Sequence, residues 1–319
     1  MTYLQSWLDL EKELGGRPLL QGSVEEMRVQ VAQLGQKLMS QAPTPSDAVE
    51  SRDGRVDSVR YRVYTPKDAS KQGPLPVGIW THGGGWTMGD INDDDLLCRF
   101  VAEHIPSILV NVEYRLAPEH KAPTQLQDTL AVYEWARENV HSFGGDPNRF
   151  YTIGGSAGGA LALQVANHIV KDRSKRNDIK GVAAIVPATL HFDFVPEEYK
   201  LMYKAYEENE KDTPLIDKEA VRKFFEATAV DPRDSTFFTA LATENHKHFP
   251  PVYLVSCEKD PLRDDAYVME AALKKAGVPT KHDTYKGLGH YFWIFPSLPE
   301  GQQFVLNLIG GVQWLISQM

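Results

Sequence analysis

Residues 150–172 read FYTIGGSAGGALALQVANHIVKD. A short apolar run, FYTIGG, leads at once into a serine set among glycines, and then into a stretch with apolar residues at helical spacing. Strand, tight turn and helix form the context in which Gly154-Gly155-Ser156-Ala157-Gly158 acts as a G-x-S-x-G turn. Flanking glycines relieve crowding where the chain folds back, and a strained backbone lifts the Ser156 hydroxyl out of the turn. A helix starting just after it favours negative charge there. Standing alone, the pattern is also that of an ordinary glycine-rich turn. A phosphate-cradling loop fits worse, because no lysine follows at the required spacing.

Reading outward, strand-like runs alternate with helix-like ones. VGIW (77–80), SILVNVEY (107–114), GVAAIV (181–186) and PVYLVSC (251–257) read as buried strands. TQLQDTLAVYEWARENV (124–140), DDAYVMEAALKKAG (264–277) and FVLNLIGGVQWLISQM (304–319) have helical period. Such alternation implies an α/β fold with a mostly parallel sheet covered by helices on both faces. VRYRVY (59–64) reads instead as a half-exposed antiparallel strand that begins the sheet. Two regions break the rhythm: 1–50, with the helical VEEMRVQVAQLGQKLM (24–39), and 190–248, with charged, aromatic-bearing YKLMYKAYEENEK and KEAVRKFFEATAV. The expected organisation is therefore a core of 51–189 and 249–319, with 1–50 and 190–248 folded over the strand ends as a helical cap.

Composition narrows the function. The 319 residues carry a net charge of −9 with 42% hydrophobic content, which suits a globular chain and leaves no basic footprint for nucleic acid or an anionic membrane. No apolar run is long enough for a membrane span, and MTYLQSWLDLEKELGG lacks signal-peptide organisation. Cys98 and Cys257 form no closely spaced framework, and no Asn-x-Ser/Thr acceptor occurs, so the expected address is the cytoplasm. The expected partner is a small neutral or apolar molecule.

Upstream of the serine, His82-Gly83-Gly84-Gly85-Trp86 follows the strand VGIWT, where an HGGG-type loop offers backbone N–H donors. Consecutive glycines let amides face a cavity unobstructed, and each such donor stabilises an oxyanion by about 3–4 kcal/mol. Gly83, Gly84, Gly85 and Ala157 are the expected oxyanion pocket, with Gly83 shaping the turn, and Trp86 and Tyr291 are expected to touch substrate. In this order of motifs the acid and base follow the serine. Asp260 lies just beyond the strand PVYLVSC, with Glu258 and Asp264 as competitors. His290 lies in GLGHYF after the strand-like TKHDTYK. His191, His246 and His248 fall in the suspected cap, and His282 falls within a strand. Ser156 would attack an acyl carbon, His290 would take its proton, and Asp260 would orient the imidazole.

Together HGGGW (82–86), YRLAPEH (114–120), GGSAGG (154–159), DPLRD (260–264) and the GHYF histidine resemble the hormone-sensitive-lipase-like branch of the α/β-hydrolases, over roughly residues 55–319. The resemblance implies an eight-stranded sheet, a cap from the N-terminal helices plus a mid-chain insertion, and hydrolysis of short or medium acyl esters without cofactor. It also implies that YRLAPEH supports the oxyanion loop, and it leaves open a homodimer through the C-terminal sheet edge. The chain departs from most relatives at Gly155, where they carry Asp or Thr. That departure bears on the rigidity of the turn and on substrate preference.

Three readings follow. The leading one is a serine carboxylesterase acting on short- to medium-chain or aryl esters. The second keeps the Ser-His-Asp set but hands the acyl group elsewhere, as an acyl transferase, lactonase or amidase. The third is a non-catalytic ligand receptor of the same fold, against which His290 argues. Metal catalysis has little support, since His246-x-His248 lacks the rest of an H-E-x-x-H set and reads as solvated surface. The acidic run Asp93-Asp94-Asp95 likewise reads as solvent-facing, and the aromatic residues of 190–248 read as cap core sooner than substrate wall.

Overall fold

The computed structural model describes residues 2–39, 41, 43–69 and 73–319. Their strands form one eight-stranded sheet, in spatial order β1 (Val49–Val56), β2 (Val59–Pro66), β4 (Ile108–Glu113), β3 (Leu75–Thr81), β5 (Gly145–Gly155), β6 (Ile179–Ile185), β7 (Val252–Lys259) and β8 (Thr280–Gly289). β2 runs antiparallel to β1 and β4, and all the other pairings are parallel. This is the α/β-hydrolase fold read from the sequence.

Helices α3 (Asp95–His104), α4 (Thr124–Asn139), α5 (Ala157–Lys171), α9 (Arg263–Lys275) and α10 (Pro299–Ser317) cover the sheet. α3 packs against α10, and α4 against α5, while α5 and α10 both touch β6. β6 is accordingly buried along its length except at Lys180, which is why GVAAIV shows no alternation. β1 departs from the sequence reading, in which VRYRVY began the sheet. Its residues VESRDGRV are mostly exposed and charged, so only backbone pairing with β2 identifies them as a strand, as suits a guarded sheet edge.

The two regions outside this rhythm meet each other. Before β1 lie α1 (Gln5–Leu14) and α2 (Val24–Met39); between β6 and β7 lie α6 (Ala205–Glu208), α7 (Lys218–Thr228) and α8 (Thr243–His246), with no strand of the main sheet. Leu20 N donates to Leu215 O at 2.8 Å and Leu215 N to Pro18 O at 2.7 Å, joining the two segments. α7 starts on the Asp217 carboxylate, which accepts from Ala220 N at 3.0 Å, and buries Val221, Phe224 and Phe225 on one face. YKLMYKAYEENEK forms only the four-residue α6, with a short 3-10 turn (Glu197–Tyr199) ending on its first residue.

Where β3 and β5 end, α5 approaches them backbone to backbone. A Cβ on Gly154 would lie 2.5 Å from Gly158 O and from Thr81 O, and one on Gly158 would overlap Thr81 O outright. Thr81 Oγ1 donates to Gly158 O at 2.7 Å across the same contact. Beyond Thr81 the chain buries His82, whose ring stacks on Tyr114 with centroids 4.1 Å apart, while Tyr114 OH donates to His82 O at 2.8 Å. His82 Nδ1 sits 2.8 Å from Gly83 O, which can only accept, so the proton is assigned to Nδ1. Nε2 is left buried without a partner.

Two surface expectations fail in this core. Asp94 is buried and accepts from Trp80 Nε1 at 2.9 Å, and burial raises its carboxyl to about 7. Asp95 is half-buried between Tyr64, Arg62 and Arg99. An acidic run opening a helix thus faces partly inward, where single polar partners wait. His246 is also buried, its Nε2 donating to Thr239 O at 2.8 Å, while His248 is partly exposed.

Two outcomes follow from this packing. Gly158→Ala should lower the unfolding free energy by about 1–3 kcal/mol, because backbone cannot yield as a flexible side chain can; an unchanged urea midpoint would contradict the close approach. Burial holds His82 down at about 4, below its ordinary 6.5. The unfolded chain therefore binds this proton first as pH falls, so the His82 contribution is complete above 6.5 and lost toward pH 4. In urea melts over that window, His82→Gln should flatten the pH slope by up to about one proton; an identical slope would refute it.

Candidate active site

Ser156 occupies the turn between β5 and α5 with φ 56° and ψ −120°, a conformation that non-glycine residues rarely hold. Two bonds fix it there: Ser156 N donates to Ile185 O at the end of β6 at 2.8 Å, and Ala160 N donates to Ser156 O at 2.9 Å. The residue as a whole is 7% exposed.

His290 follows β8 and Asp260 follows β7, so adjacent parallel strands deliver both to the same end of the sheet as Ser156. His290 Nδ1 lies 2.7 Å from Asp260 Oδ2, and Nε2 lies 2.9 Å from Ser156 Oγ. An ionised carboxylate only accepts, which assigns the proton to Nδ1 and leaves Nε2 free to receive the serine proton. The Asp260 side chain is held in turn by Leu262 N, which donates to Oδ1 at 2.8 Å.

The other acids have different partners. Glu258 Oε2 accepts from Gly287 N at 2.7 Å and so ties down the end of β8 that leads into His290. Asp264 Oδ2 accepts from Lys204 N and Ala205 N, both at 2.6 Å, and anchors the segment between β6 and β7. Asn209 from that segment donates to the backbone oxygens of Glu258 at 3.3 Å and Asp260 at 3.2 Å. Sequence reasoning missed Asn209. It stands in AYEENEK with no motif or periodicity to single it out.

The glycine loop lies beside the serine turn. A Cβ on Gly83 would come within 3.3 Å of Gly155 O, one on Gly84 would overlap Met88 O, and one on Gly85 would overlap the Phe224 ring. Gly84 and Gly85 also have positive φ, 105° and 59°. Among the described residues, the amides of Gly83, Gly84 and Gly85 donate to no protein group, as donors reserved for a ligand would. Arg28 of α2 braces the loop from outside: Nε donates to Thr87 O at 2.7 Å and Nη2 to Ala117 O at 2.9 Å, while the guanidinium pairs with Glu119. Trp86 is buried, its indole against Phe237 and Phe225 at centroid distances of 4.8 and 6.0 Å. Tyr291 sits next to the His290 ring, 5.1 Å between centroids.

A second serine–histidine–acid chain exists. His282 Nε2 lies 2.9 Å from Ser256 Oγ, and Nδ1 lies 3.1 Å from Glu270 Oε2. Ser256 is fully buried within β7, however, and shares its hydroxyl with Thr284 Oγ1 at 3.2 Å. It has neither a strained turn nor a glycine loop beside it, and this chain fastens β7, β8 and α9 together. Among the described residues, no three His, Cys, Asp or Glu side chains group as metal ligands, and no helix is long and apolar enough to cross a membrane.

Comparison with known proteins agrees with this geometry. A family model described as the alpha/beta hydrolase fold matches residues 78–294. The chain is 55% identical to the versiconal hemiacetal acetate esterase of Dothistroma septosporum over 99% of its own length and 96% of that protein. Among solved structures it is similar to vibralactone cyclase, with 31% identity, a TM-score of 0.89 and coverage of 99% and 96% of the two chains. It is also similar to a hyperthermophilic esterase from Pyrobaculum calidifontis, with 28% identity, a TM-score of 0.82 and 99% coverage of each chain. The chain belongs to the α/β-hydrolase family, in its hormone-sensitive-lipase-like part, and is a carboxylic ester hydrolase.

Proposed function

We propose that the protein hydrolyses short-chain carboxylic esters through an acyl-enzyme on Ser156. The observation that carries this reading is the unbroken chain Asp260–His290–Ser156, with bonds of 2.7 and 2.9 Å, ending on a serine in a strained turn. Ser156 Oγ attacks the ester carbon as Nε2 of His290 takes its proton, and the developing imidazolium is stabilised by Asp260. Amides of Gly84, Gly85 and Ala157 receive the oxyanion, with Gly83 shaping the loop. The imidazolium then protonates the departing alcohol, and a water deprotonated by the same ring releases the acid.

Similarity to a versiconal hemiacetal acetate esterase over nearly the whole chain supports an acetate ester of a larger, hemiacetal-bearing alcohol as the substrate. Residues 1–50 and 190–248 serve as the cap, whose Phe224 lies against Gly85 and whose Phe237 packs on Trp86 of the oxyanion loop. Two buried, unpaired cysteines fit a reducing, cytoplasmic setting. A second reading has one specific support, the similarity to vibralactone cyclase: there the acyl-enzyme would be captured by a hydroxyl of its own acyl chain, giving a lactone in place of an acid. Product analysis on a hydroxyacyl ester separates the two, since hydrolysis yields the free hydroxy acid.

On p-nitrophenyl acetate, Ser156→Ala should cut kcat by about 10⁴–10⁶-fold, and Asp260→Asn by about 10⁴-fold through the wrong imidazole tautomer. A Ser156→Ala protein with full turnover would refute the nucleophile. Across aryl esters, kcat/KM should peak at the shortest acyl chains; a peak at long chains would refute the substrate class.

A further inference from the structure

Two glycines from different motifs are denied a side chain by one group. A Cβ on Gly155 would overlap the Tyr291 hydroxyl and lie 2.8 Å from Cζ and 3.2 Å from Cε2 of that ring. A Cβ on Gly83 would overlap the same hydroxyl and lie 2.8 Å from the same Cζ. Neither glycine has a positive φ, so backbone conformation admits alanine at both, and the phenol is the first obstacle. Tyr291 is held under strain itself, with φ 54°, and its ring packs on Trp293 at 4.6 Å between centroids. Among the described residues its hydroxyl has no hydrogen-bond partner, so its contact with the two loops is one of shape.

We propose that Tyr291 is a positioning residue whose phenol spaces the oxyanion loop at Gly83 from the nucleophile turn at Gly155. Because Tyr291 follows His290 directly in the chain, one residue registers base, nucleophile and oxyanion donors to one another. Gly155 is then explained: a side chain before the nucleophile and the phenol compete for a single volume. The role differs from the substrate contact expected of Tyr291 from the sequence, and it rests on the Ser156 mechanism proposed above.

The test is a set of six proteins: wild type, Tyr291→Phe and Tyr291→Gly, each with and without Gly155→Ala. Readouts are kcat and KM on p-nitrophenyl acetate and the urea midpoint of each protein. In the wild-type background Gly155→Ala should lower kcat about 100-fold, as expected when reacting groups are displaced by an ångström. With Tyr291→Phe the loss should be smaller, since the hydroxyl is gone but Cζ remains; with Tyr291→Gly it should fall below about threefold. Tyr291→Gly alone should lower kcat more than KM rises, and Tyr291→Phe should lose far less than Tyr291→Gly.

Equal losses from Gly155→Ala in all three backgrounds would overturn the proposal. So would Tyr291 variants whose defect lies in KM and varies with acyl length, which would make the ring a substrate contact. The urea midpoints keep the two readings apart. If Tyr291→Gly relieves the destabilisation by Gly155→Ala while Ser156→Ala leaves turnover intact, the mechanism falls and the spacer stands. If Ser156→Ala abolishes turnover and neither kcat nor midpoint shows coupling, the spacer falls alone.

Discussion

The site depends on the contact of bare backbone between the start of α5 and the ends of β3 and β5. Carbonyls of Thr81, His82 and Gly158 lie so close to the backbone of residues 154 and 158 that no side chain fits at either. That crowding forces the chain to reverse within the turn and puts Ser156 at φ 56°. The strain is sustained because the sheet overdetermines it, with Ile185 O holding Ser156 N and β6 buried on both faces. Freed from the sheet, the same residues would relax and the hydroxyl would turn away from His290.

The two serine–histidine–acid chains show what this constraint adds. Both have hydrogen-bond distances suited to proton transfer, but one takes its acid and histidine from just beyond β7 and β8, and the other from within α9 and β8. Ser256 lies in a regular strand, fully buried, with its hydroxyl engaged by Thr284. Ser156 lies at a strand end, next to glycine amides that donate to nothing in the described protein. Access and unspent donors distinguish a reactive serine from a structural one, and both come from the turn.

Much of this was legible from residues alone. Buried parallel strands announce themselves as apolar runs, so β3 to β7 and their order of motifs could be read directly, and with them Ser156, Asp260 and His290 as neighbours at one sheet end. β1 was not legible, because its charged, exposed residues pair only through backbone. Asp94 and His246 were misread as surface because burial of a polar group depends on a partner that no motif or periodicity marks, Trp80 Nε1 and Thr239 O. Asn209 and Arg28 were missed for the same reason: each reaches backbone oxygens far away in the chain. The packing of Tyr291 on both Gly83 and Gly155 likewise appears only when three separated loops are brought together.

The most direct measurement is mass spectrometry on enzyme quenched in acid during turnover of an acetate ester, followed by peptide mapping. The account predicts an acetyl group on the peptide spanning β5 and α5, localised to Ser156 and absent after turnover is complete. Acetyl on any other side chain under those conditions, with Ser156 unmodified, would contradict it.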